Sequence, residues 1–272
     1  MTDRYYITTP IYYVNDKPHI GHAYTSVATD FIARFMRLND YDVRFQTGTD
    51  EHGLKIQKAA ESKGKKPLEL CDENSRIFRD LTTTLDLSND DFIRTTEQRH
   101  IDGASFLWNR LHERNQIYLG EYTGWYSIND ETFYNEKDLV KQSDGSFKTV
   151  TGGPVEWITE KSYFFKLSEW SDKLLDIYKK NPDFISPKSK RNEVIKFVES
   201  GLNDLSVSRT SFNWGIKTPT DNDHIMYVWL DALTCYANGV NYLTDSENEL
   251  SDYWNNVIHI VGKDILRHHA VY

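Results

Sequence analysis

From Tyr5 to about Arg114 the chain alternates short apolar runs with longer segments of helical spacing, and that alternation admits few folds. Tyr5-Tyr6-Ile7-Thr8-Thr9 reads as a buried strand stopped by Pro10; Val43-Arg44-Phe45-Gln46-Thr47 and Phe92-Ile93-Arg94 read as two more. Helices are predicted from Gly21 to about Leu38 (Ala23, Val27, Phe31, Phe35 and Met36 at helical spacing), from Gly53, from Pro67 towards Leu85, and from Glu97 to about Arg114. Strands joined through helices pair in parallel, and a parallel sheet is covered by those helices. The fold class is α/β.

Near Tyr118 the character changes. Aromatic runs follow one another (Trp125-Tyr126, Phe133-Tyr134, Trp157-Ile158, Tyr163-Phe164-Phe165), with Asp144-Gly145 between them as a hairpin-type turn. Two amphipathic helices come next. Ser168 is read as the cap of one, which ends at Asn181-Pro182; the other runs from about Lys190 to a stop at Gly201. From about Tyr227 the α/β pattern returns, and Val257-Ile258-His259-Ile260-Val261 has the continuous apolar character of a strand inside a parallel sheet. The expected division is 1–116 for the first half of the sheet domain, 117–203 for a small β-rich and helical insertion, and 204–272 for the return. Stopping at Tyr272, just inside a new helix, the chain reads as a fragment.

Its 272 residues suffice for one large domain or two ordinary ones, and 39% hydrophobic with 27% charged residues excludes a disordered or collagen-like chain. No apolar run approaches the ~20 residues a bilayer demands, and the stretch from Met1 to Ile7 resembles neither a signal nor a transit peptide. Only Cys71 and Cys235 occur, far apart, which excludes a disulfide framework and a structural zinc site built on cysteines. A reduced, cytoplasmic protein with no membrane contact is expected. An excess of 41 acidic over 32 basic residues disfavours broad binding to nucleic acid, while local contact with one end of it stays open.

The strongest chemical signal is Pro18-His19-Ile20-Gly21-His22, between the first strand and the first long helix. An open α/β sheet places ligands there, where free helix N–H groups and the positive dipole end meet phosphate oxygens. Gly21 lets a nucleotide lie on the backbone, and the histidines add donors. A histidine-rich turn with a helix-starting glycine is the plain structural reading of the same residues.

This run resembles the HIGH signature of class I aminoacyl-tRNA synthetases. Further runs resemble the methionyl-tRNA synthetase family: Thr8-Thr9-Pro10-Ile11-Tyr12-Tyr13-Val14-Asn15, Gly48-Thr49-Asp50-Glu51-His52-Gly53, Tyr227-Val228-Trp229-Leu230-Asp231-Ala232-Leu233 and Gly262-Lys263-Asp264. They stand in the family's order and spacing along the whole chain. Another class I synthetase or a small nucleotidyltransferase is one alternative, and a catalytically dead paralogue that binds RNA or protein is a second. The Thr9–Tyr13 and Tyr227–Ala232 runs speak against the first, and the chemically intact site residues against the second.

The resemblance implies a Rossmann-like catalytic fold with a connective insertion, and the activity of a methionine–tRNA ligase. Methionine would attack ATP to give methionyl-adenylate and pyrophosphate, then pass to the terminal adenosine of tRNA(Met), whose acceptor end is the part this chain would meet. His19 and His22 would hold the phosphates as the catalytic pair. Asn15, Gly21, Gly262 and Asp264 would complete the site for ATP with its Mg2+, Asp264 accepting from the ribose hydroxyls. Asp50 would bind the methionine ammonium, although on its own it could equally cap the following helix. Ile11, Tyr13, Trp229, Tyr236 and His269 would form the side-chain slot, with Tyr236 or His269 donating to the sulfur. By helical spacing alone Trp229 and Tyr236 are ordinary core residues.

Two departures accompany the resemblance. Family members that bind zinc in the insertion use C-x-x-C knuckles, whereas here Ser127 and Asp130 occupy cysteine positions, and Lys148-Thr149-Val150-Thr151-Gly152-Gly153 also lacks cysteine. No structural zinc is expected. The chain also holds no KMSKS-like loop and no helical anticodon-binding domain, so weak activity or none is expected of it alone.

Overall fold

The computed structural model describes residues 3–127, 132–134, 136–244 and 248–272. Its first third runs β1 (Arg4–Thr8), β2 (Tyr12–Tyr13), α1 (Ile20–Leu38), β3 (Asp42–Asp50), α2 (Leu54–Ser62), α3 (Pro67–Thr84), β4 (Asp91–Arg94) and α4 (Gln98–Glu113). These strands pair in parallel: β3 meets β1 along Asp42–Gln46, β2 at Thr49–Asp50, and β4 along Gln46–Thr49. Ile7, Val43 and Phe45 pack with Ala33 of α1, and Tyr12 and Val14 pack with Ile56, Cys71 and Phe78 of α2 and α3.

One face of α1 differs from the sequence reading. Val27, Phe31 and Phe35, spaced like a core stripe, are exposed, Phe31 by 71%. The buried face consists of Ser26, Thr29, Asp30 and Ala33. A 3.6-residue period marks two stripes on this helix, and the sheet takes the one whose small side chains permit close approach. Asp30 tolerates that position because it accepts hydrogen bonds from the Ser88 amide and hydroxyl and from Arg34 Nε.

The next stretch contains β5 (Ile117–Ser127), β6 (Thr132–Tyr134), β7 (Val140–Lys141), β8 (Phe147–Lys148) and β9 (Glu156–Phe165). The aromatic runs belong to one long antiparallel pair: β5 and β9 match from Ile117 opposite Phe165 to Tyr126 opposite Glu156. Asp144 and Gly145 lie between β7 and β8, which pair as a hairpin. Helices α5 (Ser171–Lys180) and α6 (Lys188–Glu199) pack on each other through Tyr178, Val194 and Val198. Ser168 does not cap α5. It lies in a 3-10 turn over Leu167–Trp170, and both its amide and hydroxyl bond Asp204.

The remaining elements are β10 (Leu205–Ser206), β11 (Ser208–Arg209), β12 (Lys217–Thr218), β13 (Asp221–Met226), α7 (Val228–Asn238), β14 (Val257–His259) and α8 (Leu266–Ala270). Strand β10 joins β9, while β11, β13 and β12 form a separate antiparallel sheet. Strand β14 rejoins the parallel sheet beside β1 and makes it five-stranded. It is an edge strand, not an interior one: among the described residues β1 is its sole partner, and Ile258 is exposed. None of residues 257–261 is fully buried, so the apolar run matched the composition of an interior strand without its burial.

Candidate active site

Register along the parallel sheet fixes where the site forms. Thr8 stands beside His259 on one side and Gln46 on the other, so β1 and β14 end together while β3 runs on to Asp50, its end paired with β2. The segments leaving those ends carry the sequence's chemical motifs, as expected for the ligand crevice of such a sheet.

There a cavity of about 250 Å3 is lined by Pro10, Ile11 and Tyr13 after β1, by Asp50 at the end of β3 and Lys55 beyond it, by Val228, Trp229, Ala232, Leu233 and Tyr236 of α7, and by Ile265 and His269. All six residues that the resemblance assigned to the amino acid line this one cavity. Asp50 is a buried terminal residue of β3 and does not cap α2, whose cap position is Gly53.

Tyr236 and His269 are locked to each other. The Nδ1 of His269 lies 2.8 Å from the Ile265 carbonyl, which can only accept, so the ring proton sits on Nδ1. Nε2 must then accept from the Tyr236 hydroxyl, 2.7 Å away. Burial pushes the Tyr236 phenol up well above its ordinary value and lowers the His269 imidazole, against the Ile265 contact, so both stay neutral. The sequence reading gave one of these groups to a sulfur; in this conformation both protons are already engaged. Beyond Trp229 the ring of His268 stacks at 3.6 Å between centroids and 16° between planes, with Tyr272 edge-on to it. The sequence reading assigned His269 to the slot but gave His268 and Tyr272 no role there. Trp229 and Leu233 also line a second, more apolar cavity of about 300 Å3. A larger one of about 570 Å3, by Lys161, Asp221 and His224, contains none of the site residues expected from the sequence.

The nucleotide residues lie in the open. His19 is the N-cap of α1: its Nδ1 accepts from the Gly21 amide at 3.1 Å, while His22 Nδ1 accepts from the His19 amide at 3.0 Å. In the neutral form both rings therefore carry their proton on Nε2, which is left to donate. Burial, then the neighbouring His19, lowers the His22 imidazole to about 4, so near pH 7 it donates as a neutral group. A Cβ on Gly21 would sit 2.9 Å from His19 Cε1, so glycine there protects the cap. His19, Gly262 and Asp264 are exposed, and Asn15 is half-buried at the turn leading to α1. Asp264 immediately precedes Ile265 of the cavity wall, which links the two groups. Of the insertion residues proposed in place of cysteines, Ser127 is buried in β5; Asp130, with Ile128 and Asn129, lies outside the described residues.

A helix-covered parallel sheet with a histidine-capped helix beside an aromatic cavity is the arrangement of a class I synthetase. A family model described as tRNA synthetases class I (M) matches residues 5–272, and the chain belongs to that family. It is similar to methionine–tRNA ligase of Rickettsia conorii (58% identity over 272 residues, 100% of this chain) and of Rhizobium meliloti (53% over 271 residues, 100% of this chain). The chain spans about half the length of the curated relatives it matches, 53% and 52% of these two. Among solved structures it is similar to Mycobacterium tuberculosis methionyl-tRNA synthetase in complex with methionyl-adenylate. The TM-score is 0.96 at 51% identity, covering 100% of this chain and 53% of that one. Against the free-state structure of the same enzyme the TM-score is 0.85 at 48% identity, covering 100% and 52%. The fold is Rossmann-like.

Proposed function

We propose that the chain is the amino-acid and nucleotide half of a methionine–tRNA ligase, with residues 117–203 as its connective insertion between 1–116 and 204–272. The observation that carries this is the convergence of Ile11, Tyr13, Asp50, Trp229, Tyr236 and His269 on one cavity, beside the helix that His19 and His22 cap.

A carboxylate oxygen of methionine forms a bond to the α-phosphorus of ATP while the bond from that phosphorus to the bridging oxygen of pyrophosphate breaks. No proton moves and no protein nucleophile is needed, so positioning and charge stabilisation supply the rate. Asp50 holds the ammonium, and the Tyr13, Trp229 and Tyr236 rings surround the thioether, a polarizable group that favours aromatic edges. The Nε2–H groups of His19 and His22 meet the phosphates at the α1 N-terminus. Asn15 and Gly262 flank the nucleotide, and Asp264 accepts from its ribose. ATP would bring magnesium with it, which would neutralise phosphate charge. At the same opening a ribose hydroxyl oxygen of the terminal adenosine of tRNA(Met) then bonds to the methionyl carbonyl carbon while the bond from that carbon to the adenylate phosphate oxygen breaks, and AMP leaves with the hydroxyl proton on its phosphate or in solvent.

For the insertion we favour a zinc-free fold held by aromatic packing of Trp125 on Phe147 and Trp157. No helix among the described residues is long and apolar enough to cross a membrane, and the buried thiols of Cys71 and Cys235 suit a reducing cytoplasm. The test is ATP–pyrophosphate exchange by the protein containing this chain. Exchange that requires methionine and ignores leucine supports the reading; exchange driven by another amino acid, or none, contradicts it.

A further inference from the structure

A buried carboxylate outside the cavity ties its two walls together. Asp231, wholly enclosed in the first turn of α7, has Oδ2 2.6 Å from His52 Nδ1 and Oδ1 2.6 Å from His100 Nε2. Both histidines are buried as well. His52 follows Asp50 by two residues, and its carbonyl accepts from the Tyr13 hydroxyl at 2.8 Å. Asp231 follows Trp229 by two residues on the helix that also carries Tyr236. One carboxylate thus connects the Tyr13–Asp50 wall with the Trp229–Tyr236 wall.

The third partner is held rigidly. Asn238 Nδ2 lies 3.2 Å from both the carbonyl and the Nδ1 of His100. A carbonyl can only accept, so that atom is the amide nitrogen, His100 Nδ1 accepts, and the ring proton sits on Nε2 facing Asp231. Gly103 permits this contact: a Cβ there would lie 1.8 Å from Asn238 Oδ1. Burial opposes ionisation of Asp231, but the two imidazoles outweigh it and keep the carboxyl below its ordinary range.

We propose that Asp231 is a positioning residue for the amino-acid cavity, whose charge, shared between His52 and His100, fixes the spacing of Asp50 against Trp229. This rests on the reading that the cavity takes methionine. Asp231→Asn keeps the volume and can still accept from His100, yet it offers an N–H towards His52 Nδ1 where that atom needs an acceptor. The disturbance therefore falls on the Asp50 wall and not on the nucleotide residues.

The experiment is methionine-dependent ATP–pyrophosphate exchange by the protein containing this chain, with melting curves. Asp231→Asn is expected to raise the methionine KM about tenfold to a hundredfold while the ATP KM stays within about twofold. His52→Leu is expected to do the same, and His52→Asn, whose amide nitrogen overlays Nδ1, to recover most of the loss. Equal rises in both KM values, or a fall in kcat with both intact, overturns the proposal. If Asp231→Asn shows no cooperative melting, the His52 pair decides: an unchanged methionine KM in His52→Leu overturns it. Lack of methionine-dependent exchange in the unsubstituted protein overturns the reading of the cavity, and this inference with it.

Discussion

Tyr236 gives its hydroxyl proton to Nε2 of His269 across 2.7 Å because the other nitrogen of that ring is already committed to the Ile265 carbonyl. The pair is a closed circuit inside the cavity wall. Tyr236→Phe leaves a half-buried acceptor without a donor, which costs about 1 kcal/mol. We expect the urea midpoint to fall accordingly, together with weaker methionine binding; an unchanged midpoint would show that the two groups are not bonded in solution.

Acid should weaken the fold through its half-buried histidines. Burial, then His269, lowers His259 to about 3, and the same two causes followed by Arg267 lower His268 to about 4. In the unfolded chain these rings bind protons near pH 6.5, so between that pH and the folded values the unfolded state holds more protons. Stability is therefore complete above about pH 6.5 and falls as pH drops towards 3, each ring contributing up to about 1.4 kcal/mol per pH unit. Melting temperatures measured from pH 7.5 to 4 should decline throughout; a flat profile would mean that these rings are solvated.

Much of the fold was legible because its punctuation is local. Pro10, Gly53, Pro67 and Gly201 end or start elements where the pattern says they should. What escaped depended on partners. The exposed stripe of α1 and its small-residue buried face share one period, and only the sheet selects between them. Strands β5 and β9 read as short aromatic runs because side chains such as Leu119 and Trp157 remain exposed along them. The residues of the cavity were legible through their motifs, but the bond between His52 and Asp231 was not: no periodicity encodes a contact 179 positions apart. Asp231 stood inside a quoted motif with no task assigned.

Asp50→Ala should separate the two substrates. A buried ammonium deprived of its carboxylate loses roughly 2–5 kcal/mol, and ATP has no reason to share that loss. Calorimetric titration should show methionine affinity collapsing while ATP affinity holds. Equal losses would reduce Asp50 to a structural residue.

Zinc should be absent from the insertion, whose Ser127 and Asp130 stand where thiolates would be needed. Elemental analysis of the protein containing this chain should find no stoichiometric zinc, and a chelator should leave its melting temperature unchanged. Zinc at about one per chain would contradict the zinc-free reading.

The central claim is that methionine occupies the cavity between Asp50 and Trp229 with its phosphate partner at the α1 cap. A crystal structure with a non-hydrolysable methionyl-adenylate analogue tests it most directly. The ammonium is expected on Asp50, the thioether among Tyr13, Trp229 and Tyr236, and the phosphate mimic within hydrogen-bond reach of His19 and His22 Nε2. An analogue bound elsewhere, or with its thioether outside the cavity that these side chains line, would contradict it.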